Sequence, residues 1–349
     1  MPTFSINDRE NMSIALELAA QGMLGVKGNP MVGCVIAKDN KIIAKGYHKT
    51  FGEEHAEINA LKQIKYKAKN ATLYVTLEPC SHLGKTPPCA QAIIDSGAKK
   101  VVVCMLDPNP LVSGDGVAML KDAGIDVEVG LLEDQAYKLN RGFIKRMKTS
   151  MPFVTCKIAM SIDGKTSMAS GESKWITSEA ARQDVQKLRA NNQAIITGSG
   201  TIIDDNPSMT VRLENFKSIP LRVVIDSTNK IKDKTLNIFS DDAPTLILNS
   251  TNTKILESGK LDLTDALTQL GDKGINNVLL ESGPGLIGAM ISSGLIDEFI
   301  IYTAPILMGS DAKSMANLNI KNMQDKIELN ISDIRVIGND IKTTATIKC

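Results

Sequence analysis

Apolar and polar positions along this chain switch repeatedly between a strand-like and a helix-like period, and the switches mark its elements. Asn7 reads as a helix cap, with Glu10 as its capping-box partner three residues on and Gly22 as the stop. Short apolar runs at 31–37 and 41–44 flank a Lys-Asp-Asn turn and read as strands. A helix is expected from His55 to about residue 64, then a strand at 71–77 and a short helix from Cys89 closed by Gly97. A buried strand follows at 100–106, and a further helix and strand reach Val129. This β-β-α-β-α-β order implies a mixed sheet covered by helices.

A second alternation begins near Met151. Strands are expected at 153–159, 194–197, 221–226, 245–249, 277–280 and 297–302. Helices are expected at 178–190 and 285–293, and a hairpin closes the chain around Gly338, Asn339 and Asp340. A chain of 349 residues exceeds one ordinary core, and the pattern divides it into 1–147 and 148–349, joined by a short link around 146–152.

Composition narrows the partners. The 40 lysines and arginines balance 39 aspartates and glutamates; residues 1–150 carry 19 basic and 16 acidic side chains, the rest 21 and 23. A nucleic-acid reader normally carries a basic excess in one domain, so no polyanionic partner is expected. The opening MPTFSINDRE does not read as a signal peptide, and no apolar run is long enough to span a bilayer, so no membrane partner is expected. The six cysteines show no pairing pattern, which favours a reduced, cytoplasmic protein.

The candidate chemistry is His55-Ala56-Glu57, followed by Pro79-Cys80 and then Cys89. One histidine and two cysteines can hold a zinc ion and leave a fourth position for water, whose pKa zinc lowers to about 7. Glu57 is placed to move protons without touching the metal. H-x-E followed by P-C and a second cysteine is the signature of zinc-dependent base deaminases, although these usually space the cysteines as C-x-x-C. Here eight residues, 81–88, intervene. A structural zinc site normally has four protein ligands, and His82 is the nearest candidate for a fourth. Both cysteines are expected near helix starts, where the dipole favours thiolate. Residues i and i+2 do not share a helix face, so Glu57 reaches the metal only if His55 lies at the helix end. Glu78, just before Pro79, is expected to hold the cysteine loop.

GEEHAEINAL, YVTLEPCSHLGKTPPC and DPNPLVSGDG resemble the pyrimidine deaminase of riboflavin biosynthesis. KIAMSIDGKTSMASGESKWITSEAARQDVQKLRA, DDNPSMTVR and VLLESGPGL resemble the reductase fused to it, and the likeness covers nearly the whole chain in the same order. The resemblance implies an α/β chain with a cytidine-deaminase-like α/β/α domain at 1–147 and a dihydrofolate-reductase-like α/β domain at 148–349. It implies zinc on His55, Cys80 and Cys89, with Glu57 shuttling protons. Asn29, His48, Lys85, Asp107 and Asn109 become candidate substrate contacts, with Lys85 preferred for phosphate; Asp107 and Asn109 flank prolines and also suit a plain turn. The implied partner is a small ribotide, and a homo-oligomer is expected.

Gly283, Pro284, Gly285, Leu286, Ile287 and Gly288 match G-x-G-x-x-G after a strand and before a helix. The motif lies late in the chain, however, and the next strand, IDEFIIYTAP, lacks at its end the acidic residue that a Rossmann site places about 20 positions on. Backbone N–H groups at a helix start still suit a pyrophosphate. On the family match, NADPH is lined by Ala159, Trp175, Thr201, Asp205, Ser227 and the loop from Gly283 to Ala289. Ser173, Arg189, Met209, Arg212 and Glu281 face the substrate, the two arginines as phosphate ligands. The plain alternatives are a surface pair for Arg189 and a core position for Trp175. Asp163 is expected in a turn, not as a catalytic acid. Competing readings are a nucleic-acid deaminase, which the low aromatic content of 4% disfavours, and a zinc-stapled scaffold, which would not require Glu57.

Overall fold

The computed structural model describes residues 4–82, 88–110, 112–214, 216 and 219–348. The chain forms two compact units, Met1–Ser150 and Met151–Cys349.

In the first unit the elements are α1 (Ile6–Ala20), β1 (Gly33–Lys38), β2 (Lys41–Tyr47), α2 (Ala56–Gln63), β3 (Thr72–Val75), α3 (Cys89–Asp95), β4 (Lys100–Val103), α4 (Asp115–Asp122), β5 (Asp126–Val129) and α5 (Glu133–Thr149). Its sheet runs β2-β1-β3-β4-β5. β1 is antiparallel to β2 and β3, whereas β3, β4 and β5 are parallel, so the expected mixed sheet is present. The near-continuous apolar runs of β1, β3 and β4 are buried, as central strands covered by helices require.

Two expectations need correction. The first helix is capped by Ser5, not Asn7: the Ser5 hydroxyl accepts from the Asp8 N–H, and the Asp8 carboxylate accepts from the Ser5 N–H. The link around 146–152 is helical as far as Thr149. α5 joins the first unit because the buried Asn140 amide exchanges two hydrogen bonds with the Met31 backbone, at 2.8 and 2.9 Å.

The second unit holds β6 (Phe153–Ser161), β7 (Lys165–Ser167), α6 (Glu179–Ala190), β8 (Ala194–Gly198), α7 (Ser199–Asp205), β9 (Leu221–Ile225), β10 (Thr245–Leu248), α8 (Leu263–Asp272), β11 (Asn277–Leu280), α9 (Pro284–Ser292), β12 (Glu298–Ala304), β13 (Lys313–Ser314), β14 (Leu329–Ile337) and β15 (Asp340–Ile347). Its main sheet runs β10-β9-β8-β11-β6-β12-β15-β14. The first six of these strands are parallel, and the closing hairpin β14–β15 is added antiparallel at one edge. Core residues from β6, β8, β9, β11 and β12 pack against α8 and α9 on one face. Among the described residues, no helix is long and apolar enough to cross a membrane.

Candidate functional site

The first site begins with Gly46 on β2. A Cβ there would lie 2.3 Å from the Ala56 carbonyl oxygen and 2.6 Å from the Ala60 nitrogen. Its absence lets α2 press onto the strand. His55 caps that helix in an extended conformation (φ −71°, ψ 165°), and Glu57 sits buried in the first turn. The i, i+2 difficulty disappears, because His55 is outside the helical repeat. Cys80 follows β3 and Cys89 opens α3. In the chain only Cys89 lies at a helix start, but the Cys89 N–H donates to Cys80 Sγ at 3.3 Å, so both sulfurs meet the same helix end in space.

His55 Nδ1 lies 3.7 Å from Cys80 Sγ and 3.3 Å from Cys89 Sγ, and the three ligand atoms fall within 4.8 Å of one another. One imidazole and two sulfurs suit a borderline-soft cation such as Zn²⁺ and leave its fourth position open. A hydrogen bond from Cys89 holds the Cys80 thiol down to about 4, with His55 adding to the effect. The same bond, together with burial, pushes the Cys89 thiol up. Binding a cation between the sulfurs therefore requires loss of the Cys89 proton.

Burial pushes the Glu57 carboxyl up to about 7, against the pull of His55 and with a further push from Cys80. Its Oε2 is buried without a hydrogen-bond partner among the described residues. Such an atom is costly unless something entering the site satisfies it.

The His48 ring stands edge-on to His55 with centroids 5.4 Å apart, and Asn29 Nδ2 lies 3.1 Å from His48 Nε2. Both predicted contacts are thus brought to the site. His48 Nδ1 lies 3.0 Å from the Glu54 carbonyl oxygen, and burial lowers the pKa of the ring. Asp107 Oδ1 accepts the Asn109 N–H at 2.8 Å, which builds the turn, while burial raises its carboxyl near Cys80 and His82. Glu78 accepts the N–H groups of Asp107, Gly114 and Val117 at 2.9–3.0 Å and fixes the 107–117 segment. Lys85 lies outside the described residues.

The second site lies in the second unit, at the carboxyl ends of β6, β8 and β11, where the strand order reverses. The Gly283 N–H donates to Thr201 Oγ1 at 3.2 Å and the Gly198 N–H to Ser282 Oγ at 3.1 Å, which knits the β8–α7 and β11–α9 turns together. A Cβ at Gly285 would meet nothing within 4 Å, whereas one at Gly288 would lie 2.2 Å from the Asn317 carbonyl oxygen. Gly285 therefore faces open space, and Gly288 lets α9 pack against the chain. Leu286 and Ala289 lie on α9 behind Pro284, Ile287 is buried, and the free N–H groups of a helix start point out of this turn. Ser173 donates to Asp205 at 3.2 Å, joining a predicted substrate contact to a predicted cofactor contact. Ala159, near the end of β6, and Ser227, just past β9, are half-buried at the ends of two strands that β8 and β11 separate.

Arg189 is not in a surface pair. Its Nε and Nη2 grip the two Glu281 oxygens at 2.6 and 3.0 Å, and Nη1 donates to the Thr210 carbonyl at 3.0 Å. Three faces of its guanidinium are thus engaged within the protein, which weakens its case as a phosphate ligand; Arg212 is the exposed arginine of the two. Lys157 Nζ lies 3.7 Å from Glu281 Oε2. It was not singled out beforehand, although a lysine inside the apolar central strand β6 was the available signal. Against the cost of burial, Arg189 and Lys157 hold the Glu281 carboxyl down to about 2. Met209 is buried among Ile195, Ile202 and Val224, so it can meet a ligand only through its backbone. Trp175 is no core residue: it is 68% exposed, with the Arg182 guanidinium 4.4 Å from its ring centroid. Asp163 accepts the N–H groups of Met308 and Gly309 and the Ser161 hydroxyl, as a turn residue does.

A histidine–cysteine deaminase site in one unit and a nucleotide-type crevice in the other define a two-domain enzyme. Residues 5–105 match the family described as the cytidine and deoxycytidylate deaminase zinc-binding region, and residues 152–343 match the RibD C-terminal domain. The chain is 43% identical to the riboflavin biosynthesis protein RibD of Escherichia coli (strain K12), over 96% of this chain and 98% of that one. It is also 43% identical to RibD of Haemophilus influenzae over the full length of both. Among solved structures, Acinetobacter baumannii RibD superposes with a TM-score of 0.90 at 42% identity, covering 98% and 99% of the two chains. The diaminohydroxyphosphoribosylaminopyrimidine deaminase/5-amino-6-(5-phosphoribosylamino)uracil reductase from Thermotoga maritima gives 0.89 at 31% identity, with the same coverage. The chain belongs to the RibD family. It is a bifunctional enzyme of riboflavin biosynthesis, with a zinc-dependent deaminase domain and an NADPH-dependent reductase domain.

Proposed function

We propose that the first site converts 2,5-diamino-6-(5-phosphoribosylamino)pyrimidin-4(3H)-one to 5-amino-6-(5-phosphoribosylamino)uracil, and that the second reduces the ribosyl side chain to ribityl. The observation carrying this reading is the buried Glu57 oxygen, without a partner among the described residues, beside the His55–Cys80–Cys89 donor set. Zinc held by those three residues would supply Lewis-acid activation of the attacking water. A carboxyl near 7 can take a proton from that water and return it to the leaving nitrogen at neutral pH. Water adds at the ring carbon bearing the amino group, the carbon–nitrogen bond breaks, and ammonia leaves with the proton that Glu57 delivers. Asn29, His48, Asp107, Asn109 and Lys85 are assigned to the ribotide.

NADPH bound in the second unit would supply a hydride to the carbon of the ring-opened ribosyl imine, with the proton for its nitrogen coming from water. Thr201 and the Gly283–Gly285 turn are assigned to its pyrophosphate, and Ala159, Trp175, Asp205 and Ser227 to the remainder. Ser173, Arg212 and the Met209 backbone are assigned to the substrate, with Glu281 fixed as an anion by Arg189. Holding the nicotinamide against the side-chain carbon supplies much of the rate without an acid–base pair. Two ligand thiols must stay reduced, which supports a cytoplasmic setting. Ile331, Ile334 and Val336 on the edge strand β14 are 60%, 61% and 74% exposed, which supports a homo-oligomer.

The test incubates the full chain with the diaminopyrimidine ribotide while ammonia and NADPH oxidation are followed together. Cys80→Ser should abolish ammonia release while still reducing the pre-deaminated uracil ribotide. Equal loss of both activities in a folded variant would contradict two separate sites.

A further inference from the structure

The turn joining β14 to β15 packs directly on the first turn of α6. Gly338 in that turn has φ +61°, and a Cβ there would lie 3.0 Å from both Ser178 Oγ and Ala180 Cβ. The neighbouring Asp340 is 1% exposed, and its Oδ2 accepts both the Ser178 N–H at 2.8 Å and the Ser178 hydroxyl at 2.7 Å. Ser178 is the N-cap of α6. One turn further along, Asp184 Oδ2 accepts the Tyr302 hydroxyl and the Lys342 ammonium, each at 2.6 Å. The closing hairpin therefore grips α6 at two successive points.

What α6 carries gives those grips their consequence. Arg182 backs Trp175 and donates to the Thr177 carbonyl at 2.7 Å. Gln186 Oε1 accepts the Arg212 N–H at 2.9 Å. Arg189 holds Glu281 and the Thr210 carbonyl. These three side chains lie on one helix at i, i+4 and i+7, so a shift of the helix moves their attachments together.

We propose that Asp340 is a positioning residue of the reductase site: through Ser178 it sets the placement of α6, and through α6 the placement of Trp175, Arg212 and the Arg189–Glu281 pair. This rests on the reductase reading of the crevice. Charge-assisted hydrogen bonds to a buried carboxylate are among the stronger ones, so their loss should be felt at the helix start.

The test is Asp340→Ala in the full chain, given NADPH and the pre-deaminated uracil ribotide. The apparent KM for the ribotide should rise about tenfold with kcat within about twofold, the signature of lost uniform binding. Emission from Trp175, the only tryptophan, should shift. Ammonia release and zinc content should stay unchanged. Asp340→Asn, which keeps an oxygen acceptor, should recover most of the KM. A lower Tm with unaltered KM and unaltered Trp175 emission would reduce Asp340 to a merely structural role and overturn the proposal, as would failure of the asparagine to recover binding. Should Asp340→Ala not fold, Ser178→Ala removes the hydroxyl's bond to Asp340 together with its cap on the Ala181 N–H, leaving Asp340 on the Ser178 N–H; a KM rise of about threefold supports the proposal and an unchanged KM overturns it. Wild-type protein that binds no NADPH would overturn the reductase reading itself, before any variant is compared.

Discussion

Glu57 in the deaminase unit and Glu281 in the reductase unit are both glutamates with side chains withdrawn from solvent, yet their carboxyls are driven in opposite directions. Glu57 is pushed up to about 7 by burial, which outweighs the opposing pull of His55 and of weaker hydrogen bonds, and one oxygen has no partner among the described residues. Glu281 is held down to about 2, because the Arg189 fork grips both its oxygens and Lys157 stands 3.7 Å from one of them. Burial disfavours the charged form of both, and the supply of cations and donors decides which carboxyl overcomes it. The first carboxyl is thereby suited to exchanging a proton near neutrality, and the second to serving as a fixed anion.

Removing the exchangeable proton should have the largest effect. Glu57→Gln keeps the shape but not the proton, and should lower deamination by about 10²–10⁴-fold with zinc still bound. Metal analysis and an ammonia assay on one preparation check this, and near-normal turnover with bound zinc would remove Glu57 from the mechanism. The comparison should next be breakable from the other side. Arg189→Met leaves Glu281 buried with Lys157 alone and should destabilise the fold by about 3–5 kcal/mol, read from denaturant unfolding. The same variant should change the acid limb of stability. In the wild type the folded pKa of Glu281 lies below its ordinary 4.5, so its contribution is complete above that value and is lost as pH falls from there towards about 2. In Arg189→Met the depression shrinks, so the loss should be smaller and should end at a higher pH. An unchanged acid limb would mean that Arg189 does not control Glu281. The smallest effect is expected where neither carboxyl is touched. Gly285→Val projects into open space and should fold normally, yet it should raise the apparent KM for NADPH about tenfold by obstructing the helix start. Calorimetric titration checks it, and unaltered affinity would remove the loop from the cofactor site.

Element type was readable wherever the apolar period was long and unmixed. The buried strands β1, β3, β4, β8 and β11 emerged within a few residues of their observed bounds, because a strand covered on both faces leaves little but apolar positions. α5 was missed because polar residues outnumber its buried positions, Ala136, Asn140, Gly142 and Ile144, and one of those four is itself an amide. The first helix cap was misplaced by two residues because Asn7 with Glu10 and Ser5 with Asp8 offer similar local patterns. Only the backbone conformation, extended at Ser5, distinguishes them.

The zinc ligands and Glu57 were legible because their chemistry is written in residue type and short spacing, and few other side chains can supply it. The state of each carboxyl was not legible. Glu281 and Arg189 are far apart in the chain, and their pairing exists only because α6 meets the end of the central strand β11 in space. The same holds for Asp340 and Ser178, and for Thr201 and Gly283. Residue type and spacing therefore determined which groups carry the chemistry, whereas tertiary structure decided their charge and placement. Protonation depends on what surrounds a group in space, and contacts between residues distant in the chain leave no local pattern from which to read it.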